Sequence, residues 1–135
     1  VVRSGVDRPR RLPPTTGDPM RYFSVYTHKP TNGAPTPENI AAMNKLIEEG
    51  HREGWLVITE GIAFGEVGFR VHAEAAKVTV TDGPFAEAKE VIGGYAILQV
   101  KSREEALALT RKFLAVTGEG TCELHQLFEM GPGHA

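Results

Sequence analysis

The chain has 135 residues, with 15 lysines and arginines against 17 aspartates and glutamates, which gives a formal net charge of −2. This length predicts one domain with one hydrophobic core, and the balanced charge argues against a nucleic-acid or anionic-membrane partner. No apolar stretch approaches the roughly 20 residues that a membrane span needs. The N-terminal residues also lack the apolar centre of a secretory signal, so we expect a cytoplasmic protein.

The two termini differ in composition from the rest of the chain. Residues 1–19 are rich in arginine and proline and show almost no apolar periodicity. They predict a flexible leader, contributed by an early start codon or by an expression vector, that stays outside the core. The folded domain is expected over residues 20–130, followed by a frayed tail at residues 131–135.

The first part of the domain predicts a strand and a helix. Residues 21–27 are aromatic and β-branched, which favours a strand. After a break of proline, asparagine and glycine, Thr36 offers an N-cap oxygen and Pro37 suits the first helical position. Apolar residues, among them Met43, then recur at helical spacing and predict a stripe that faces the core, and Gly54 is the expected end of this helix.

Five strands are predicted after this helix and before the C-terminal tail. Residues 55–59 form the second strand, and residues 69–72 and 77–81 form an added hairpin with one polar face. Residues 94–100 are almost continuously apolar, which is typical of a strand covered on both faces. Residues 122–129 form the last strand, where Cys122, the only cysteine, is expected to be a buried, inert thiol.

A second helix separates the last two strands. Ser102 and Glu105 have the spacing of a capping box, in which each side chain bonds the other residue's backbone N–H. An apolar stripe follows at helical spacing, and Gly118 ends the helix.

The order strand, helix, strand, hairpin, strand, helix, strand is the split βαβ of a ferredoxin-like α+β sandwich with an added β-hairpin. Right-handed crossovers place both helices on one face of the sheet. The other face would then expose Val57, Ile97 and either Tyr22 or Phe23, a larger apolar surface than soluble monomers usually leave open. A second copy is the simplest cover, so we expect a homodimer.

A polar loop before the fifth strand carries the most specific motif. In Asp82-Gly83-Pro84-Phe85, the glycine supplies backbone freedom, the proline fixes φ, and the aspartate can bond downstream amides. With the strand opening Gly93-Gly94-Tyr95, this motif resembles the DGPF family, also called YCII-related proteins, from Met20 to about Glu129. The resemblance implies a dimeric α+β barrel, an unassigned biochemical function and, for some members, a link with sigma-factor-like regulators.

Asp82 and His28 are the candidate catalytic residues. Asp82 ends a strand at the rim of the expected barrel, where a carboxylate can move protons, although an Asp-Gly-Pro turn also uses its aspartate to bond backbone amides. His28 directly follows the first predicted strand, and an imidazole there can exchange protons near neutral pH or serve only as a loop residue. The broader branch of the family is associated with a histidine and aspartate pair near the first helix, where this chain has Glu38 and Asn39.

The candidate ligand-binding residues surround the same loop: Tyr26, Phe85, Glu87, Lys89 and Tyr95. Aromatic side chains are typical of cleft walls, and Glu87 and Lys89 can point the same way on an extended loop or remain solvated surface charges. The five histidines lack zinc-site spacing, and no glycine-rich nucleotide motif is present. We therefore expect no metal and no cofactor.

Three functions remain open. The first is a small-molecule enzyme that uses acid–base chemistry on a ring or enol-like substrate in a cleft beside the loop. The second is a non-catalytic ligand-binding or regulatory module, which the resemblance links to sigma-factor-type transcription regulation. The third is a structural dimer without a pocket. A closed apolar cavity at Asp82 favours the enzyme, an open groove favours the module, and a filled interior favours the third.

Overall fold

The computed structural model describes residues 19–31, 33, 35–62, 68–83 and 90–128. The leader at residues 1–18, most of the polar loop at residues 84–89, and the tail beyond residue 128 lie outside this described part. The elements are β1 (Met20–His28), α1 (Pro37–Glu53), β2 (Leu56–Gly61), β3 (Phe69–Glu74), β4 (Lys77–Asp82), β5 (Val91–Val100), α2 (Arg103–Thr117) and β6 (Thr121–Gln126). The predicted order is confirmed, although β5 begins three residues earlier than expected.

Four strands form an antiparallel sheet in the order β2-β5-β1-β6, and β3 pairs only with β4 in a separate two-stranded sheet. The two central strands, β1 and β5, pair along their whole length, from Met20 opposite Val100 to His28 opposite Val91. This strand order interleaves two β-α-β units and is the ferredoxin-like α+β arrangement.

Helix α1 begins and ends as its sequence predicts. Thr36 Oγ1 accepts a hydrogen bond from the Asn39 backbone N–H at 3.0 Å, and Asn39 Oδ1 accepts one from the Thr36 backbone N–H at 3.4 Å. Pro37 occupies the first turn, where its missing N–H has no intrahelical partner to lose. Gly54 closes the helix at φ +88°, a left-handed conformation that glycine adopts without steric cost.

Gly50 lies inside α1, where a glycine costs about 1 kcal/mol relative to alanine. A Cβ on Gly50 would come within 2.8 Å of Leu56 Cβ and of Cη2 of Trp55. The glycine therefore lets the start of β2 pack directly against the helix, which accounts for its presence.

Helix α2 has half of the predicted capping box. Ser102 Oγ accepts from the Glu105 backbone N–H at 3.1 Å, but the Glu105 carboxylate accepts from the Lys101 backbone N–H at 2.8 Å and not from Ser102. The helix ends at Gly118, whose N–H donates to the Leu114 carbonyl oxygen at 2.9 Å. Neither of the described helices is long and apolar enough to cross a membrane.

Both helices pack on the same face of the four-stranded sheet, where the most deeply buried apolar side chains cluster. We call these residues the packed end: Leu56, Leu98, Val100 and Ala106. Each of the four is less than 10% exposed. They lie where β2 begins, β5 ends and α2 begins.

The opposite face of the sheet carries a row of apolar side chains across three strands. Phe23 pairs with Ile97, and Ile97 pairs with Ile58. A register shift between Leu56 and Ile58 leaves Val57 without a register partner on β5, and Val57 and Ile58 are both exposed. We call this surface the open face: Phe23, Val25, Ile58, Tyr95 and Ile97.

The β3–β4 hairpin is exposed along its whole length. Four apolar side chains lie on one of its faces, each between 58% and 66% exposed: Phe69, Val71, Val78 and Val80. The alternate positions carry polar side chains such as Arg70 and Thr79, which confirms the expected polar face. Ala75 and Ala76 form its two-residue turn at φ 51° and 66°.

Candidate ligand-binding site

A cavity of about 690 Å³ lies between the four-stranded sheet and the two helices. This volume is within the range of small-molecule sites. Residues from β1, α1, β5, α2 and β6 contribute to its wall, among them Ser24, Tyr26, His28, Met43, Gly93, Phe113 and Cys122. Ile40 and Ile62 also border the cavity and are 49% and 46% exposed, so it opens to solvent.

The cavity extends from the packed end to the opposite end of the same layer. Its inner part borders Leu56 and Leu98, and its outer part borders Tyr26 and His28. Over this outer part, Asn39 Nδ2 donates to the Val116 carbonyl oxygen at 3.0 Å and joins the first turn of α1 to the last turn of α2. We call the residues around the outer part the hollow end: Tyr26, His28, Asn39, Gly93 and Phe113.

The Tyr26 side chain is fixed by ring contacts, by a hydrogen bond and by the close approach of a glycine backbone. Its ring meets the Phe113 ring edge-on, with centroids 5.2 Å apart at 86°, and lies 5.5 Å from the His28 ring. Its hydroxyl donates to the Glu119 carbonyl oxygen at 3.0 Å. The backbone of Gly120 lies so close to the ring that a Cβ there would overlap it. The Tyr26 side chain is therefore a fixed wall of the cavity.

His28 presents one ring nitrogen to the protein and leaves the other available. Nδ1 lies 2.8 Å from the Lys29 carbonyl oxygen, and because a carbonyl only accepts, Nδ1 carries the proton in the neutral ring. Nε2 then holds the lone pair, and it has no hydrogen-bond partner among the residues that the structure describes. This arrangement fixes the tautomer that can accept a proton at Nε2.

Gly93 allows the two rings to lie against β5. The register shifts here, since Tyr26 pairs with Gly94 and Thr27 with Ile92, so Gly93 is the extra residue of a bulge. A Cβ on Gly93 would lie 2.9 Å from Cδ2 of Tyr26 and 2.9 Å from Cδ2 of His28. Gly93, the first residue of the Gly93-Gly94-Tyr95 strand opening, therefore has a steric role in the cavity wall.

The other polar groups of the wall bond mostly to the protein itself. Thr59 Oγ1 donates to the Tyr95 carbonyl oxygen at 2.9 Å, and Thr110 Oγ1 donates to the Ala106 carbonyl oxygen at 2.8 Å. Burial raises the pKa of the Cys122 thiol, an effect partly offset by a hydrogen bond with Ser24. Of the cavity-lining residues in the described ranges, none is a lysine or an arginine.

Two of the predicted site residues, Tyr26 and His28, meet in this cavity. Tyr95 borders it, but its ring stacks on Phe23 of the open face with centroids 5.8 Å apart. Its hydroxyl donates to Glu60 Oε1 at 2.6 Å, and this bond, with desolvation and the charge of Glu60, raises the pKa of Tyr95.

The remaining predicted residues lie elsewhere. Asp82 is exposed at the end of β4, where it pairs with Phe69, and it is not among the residues that border the cavity. The adjacent Gly83 N–H donates to the Gly68 carbonyl oxygen at 2.8 Å and closes the base of the hairpin. The predicted binding residues Phe85, Glu87 and Lys89 fall outside the described residues.

Gly93, Phe113 and Cys122 belong to the cavity wall, although no sequence motif indicated this role for them. One available signal was strand alternation, because Ser24, Tyr26 and His28 must share a face of β1. No three histidine, cysteine, aspartate or glutamate side chains converge in a metal-binding arrangement within the described part of the chain.

The fold and the cavity together define a small ferredoxin-like α+β protein with a ligand-sized space between its sheet and its helices. The family model of the YCII-related domain matches residues 20–130, and the chain belongs to this family. This match confirms the resemblance drawn from the Asp-Gly-Pro-Phe motif. No curated protein matches the chain.

Proposed function

We propose that the protein is a small-molecule enzyme that uses acid–base chemistry in the cavity, with His28 as the group that exchanges a proton. The observation that carries this proposal is the orientation of His28, whose Nδ1 is bonded to the Lys29 carbonyl while its ring borders a cavity of about 690 Å³. A positioned imidazole typically contributes about 10²- to 10⁴-fold to a rate.

The surroundings of His28 suit proton transfer at Nε2. The neutral ring accepts a proton there from a bound ligand, and the Lys29 carbonyl stabilises the resulting imidazolium through Nδ1–H. The ring of Tyr26 packs beside His28, and Gly93 leaves room for both rings. The same Nε2–H can then return the proton to another atom of the ligand, which completes an isomerisation, or to a departing group whose bond to the ligand breaks, which completes an elimination.

The test compares two histidines with similar backbone bonds. His51 also places Nδ1 against a carbonyl oxygen, that of Leu56 at 3.1 Å, but it does not border the cavity. A metabolite screen by melting temperature first identifies ligands of the wild type, and turnover of the bound compounds is then measured. His28→Gln should lower turnover by about 10² to 10⁴, and His51→Gln should leave it unchanged.

Two outcomes would count against this assignment. Equal turnover in the wild type and in His28→Gln would remove His28 from the reaction. An equal loss in His51→Gln would show that the effect of His28→Gln is structural. Melting curves of both variants accompany the measurement, since a change in the fold would lower the melting temperature as well as the turnover.

Asp82 remains a candidate second catalytic group in this proposal. It is exposed on the hairpin and does not border the cavity of its own subunit, so a catalytic role requires that it reach the cavity of a second subunit. Asp82→Asn keeps an acceptor for backbone amides but does not titrate. Turnover that falls by about 10² or more with an unchanged melting temperature would support a catalytic Asp82, and unchanged turnover would limit it to the turn.

We further propose that the protein is a homodimer, a dimeric α+β barrel in which two open faces pack against each other. The support is the apolar row Phe23, Ile97 and Ile58, which lies opposite both helices. Ile97→Asp should dissociate the dimer or unfold the subunit, because it buries a charge. Ala42→Asp, at an exposed position of α1 on the other side of the sheet, is the matched control and should leave the mass seen by light scattering unchanged.

A second candidate function is a regulatory module that binds a protein partner, the role that family resemblance links with sigma-factor-type regulators. The hairpin favours it, because four apolar side chains on one of its faces are more than half exposed. In that case Val71→Asp or Val80→Asp should abolish partner binding while ligand binding in the cavity persists.

The cavity itself weighs against the third possibility, a purely structural dimer with a filled interior.

A further inference from the structure

The cavity wall is dominated by apolar and aromatic groups. The two helices contribute the apolar side chains of Ile40, Met43, Ile47, Leu109, Phe113 and Val116. Such walls bind apolar ligand surface through the hydrophobic effect, and aromatic rings prefer edge-to-face or offset contacts with another ring. The space therefore fits a compact ring compound better than a strongly hydrated molecule.

Most hydrogen-bond donors of the wall are already used within the protein. The Tyr26 hydroxyl donates to the Glu119 carbonyl, Asn39 Nδ2 to the Val116 carbonyl, and Thr110 Oγ1 to the Ala106 carbonyl. His28 Nδ1 likewise faces the Lys29 carbonyl. Among the described wall residues, Nε2 of His28, the Asn44 side-chain amide and Thr117 Oγ1 have no hydrogen-bond partner within the described part of the protein. Nε2 of His28 is an acceptor, which matches a ligand that donates an O–H or N–H.

The charged residues of the wall also favour an uncharged ligand. The described residues that border the cavity include the acidic Glu60 but no lysine or arginine. An anion moved from water into such a space loses part of its hydration and gains no permanently cationic partner, which is unfavourable. Ligands with a fixed negative charge, such as carboxylates and phosphates, should therefore be rejected.

We infer that the cavity takes an uncharged, largely apolar ring compound with a hydroxyl group that donates to Nε2 of His28, and that it excludes ligands with a permanent negative charge. The inference rests on the proposed function, for which it names the class of substrate. A phenol or an enol has this chemistry, because the hydroxyl is neutral at neutral pH yet acidic enough to share its proton with an imidazole.

Three probes of similar size separate the elements of this inference. 4-Methylphenol is neutral and donates a hydrogen bond, 4-methylanisole is neutral without a donor, and 4-methylbenzoate is an anion at neutral pH. Isothermal titration of the full chain should show 4-methylphenol binding about tenfold more tightly than 4-methylanisole, the value of one hydrogen bond. Binding of 4-methylbenzoate should be undetectable at the same concentrations.

The role of His28 is tested with a matched pair of variants. His28→Leu removes the acceptor and should make 4-methylphenol and 4-methylanisole bind equally, whereas His51→Leu should keep the tenfold preference. If His28→Leu does not fold, the wild type alone provides the answer. The ¹⁵N resonance of His28 Nε2 should then shift on addition of 4-methylphenol and remain unchanged with 4-methylanisole.

Each contrary result overturns a defined statement. Tighter binding of 4-methylbenzoate would show that a cation reaches the cavity, and equal binding of the two neutral probes would show that Nε2 accepts nothing from them. No binding of any probe at millimolar concentration would also overturn the inferred class. In all three cases the proposed function survives if another ligand from the metabolite screen is turned over in a manner that depends on His28.

Discussion

The packed end and the hollow end lie in the same layer between the sheet and the helices, yet only the packed end is filled. Along the helix-facing side of β5, the side chains shrink from Val100 and Leu98 to Ala96 and then Gly94. The cavity opens where these side chains become small.

The larger side chains of the hollow end do not fill the space that β5 leaves. Tyr26, His28 and Asn39 each bond to a backbone carbonyl oxygen, those of Glu119, Lys29 and Val116 respectively. These bonds hold the three side chains at the wall, because leaving a carbonyl unsatisfied would cost free energy. A cavity is thus maintained by polar anchoring together with small residues on one strand.

The largest expected difference in stability comes from shortening a leucine at each end. Leu98 borders only the inner part of the cavity and is 6% exposed, so Leu98→Ala should lower the free energy of unfolding by about 2–5 kcal/mol, because it removes buried methyl groups and leaves a void. Leu46→Ala, on the cavity wall, removes a side chain that already borders empty space, so the loss should be below about 1 kcal/mol. Urea unfolding measures both, and equal losses would mean that the cavity is filled in solution.

Enlarging an alanine at each end should act in opposite directions. Ala106 is 2% exposed in the packed end, and Ala106→Leu should cost about 1–3 kcal/mol through overpacking. Ala96 borders the cavity, and Ala96→Leu should add about 0.5–2 kcal/mol of stability by filling it. The same Ala96→Leu variant should no longer bind 4-methylphenol, and retained binding would place the ligand elsewhere.

Glycine substitutions test the placement of the two rings. Gly93→Ala should displace Tyr26 and His28, because its Cβ would lie 2.9 Å from a carbon of each ring. We expect it to lower turnover at least tenfold at a stability cost of about 1–3 kcal/mol. Gly61→Ala is the control, since its Cβ meets only the Gly93 carbonyl oxygen at 3.8 Å. Similar effects of both changes would contradict the assigned role of Gly93.

Chemical modification of Cys122 probes the hollow end without any mutation, because it is the only cysteine in the chain. The raised pKa of its thiol means less reactive thiolate at neutral pH, so N-ethylmaleimide should react more slowly than with free cysteine and faster as the pH rises. Since Cys122 borders the cavity, 4-methylphenol should slow the reaction further. A rate that is insensitive to the ligand would argue that the two do not share one space.

The smallest effect is expected from removing residues 1–19. Their composition offers few apolar groups to bury, so a chain that begins at Met20 should melt within error of the full chain. A loss of several degrees would show that these residues pack against the domain and contribute to one of its two ends.

Much of the fold could be predicted because local signals agreed with one another. Thr36 and Gly54 bound α1, and Ser102 and Gly118 bound α2, in each case through side-chain or backbone bonds within a few residues. The strand order then followed from chain topology. The register shift beside Val57 was not predicted, since it depends on long-range pairing with β5.

The candidate site was harder to predict than the fold. His28 and Tyr26 were identified, but their placement also depends on the Glu119 carbonyl, which bonds the Tyr26 hydroxyl, and on the space at Gly93. Both residues are distant in the chain, and no local pattern connects them to β1. The helical stripe containing Met43 was interpreted as core, whereas Met43 borders the cavity. Periodicity reports which face a residue occupies, and it does not report whether that face is filled.

The most direct test of the contrast between the two ends is a methyl NMR spectrum of the protein with bound 4-methylphenol. The predicted result is nuclear Overhauser contacts from the aromatic protons of the ligand to the methyl groups of Met43 and Ile40, which border the cavity, and none to Val100 of the packed end. Contacts to Val71 and Val80 of the hairpin, or to Ile58 of the open face, in place of those to Met43 and Ile40, would contradict a ligand site between the sheet and the helices.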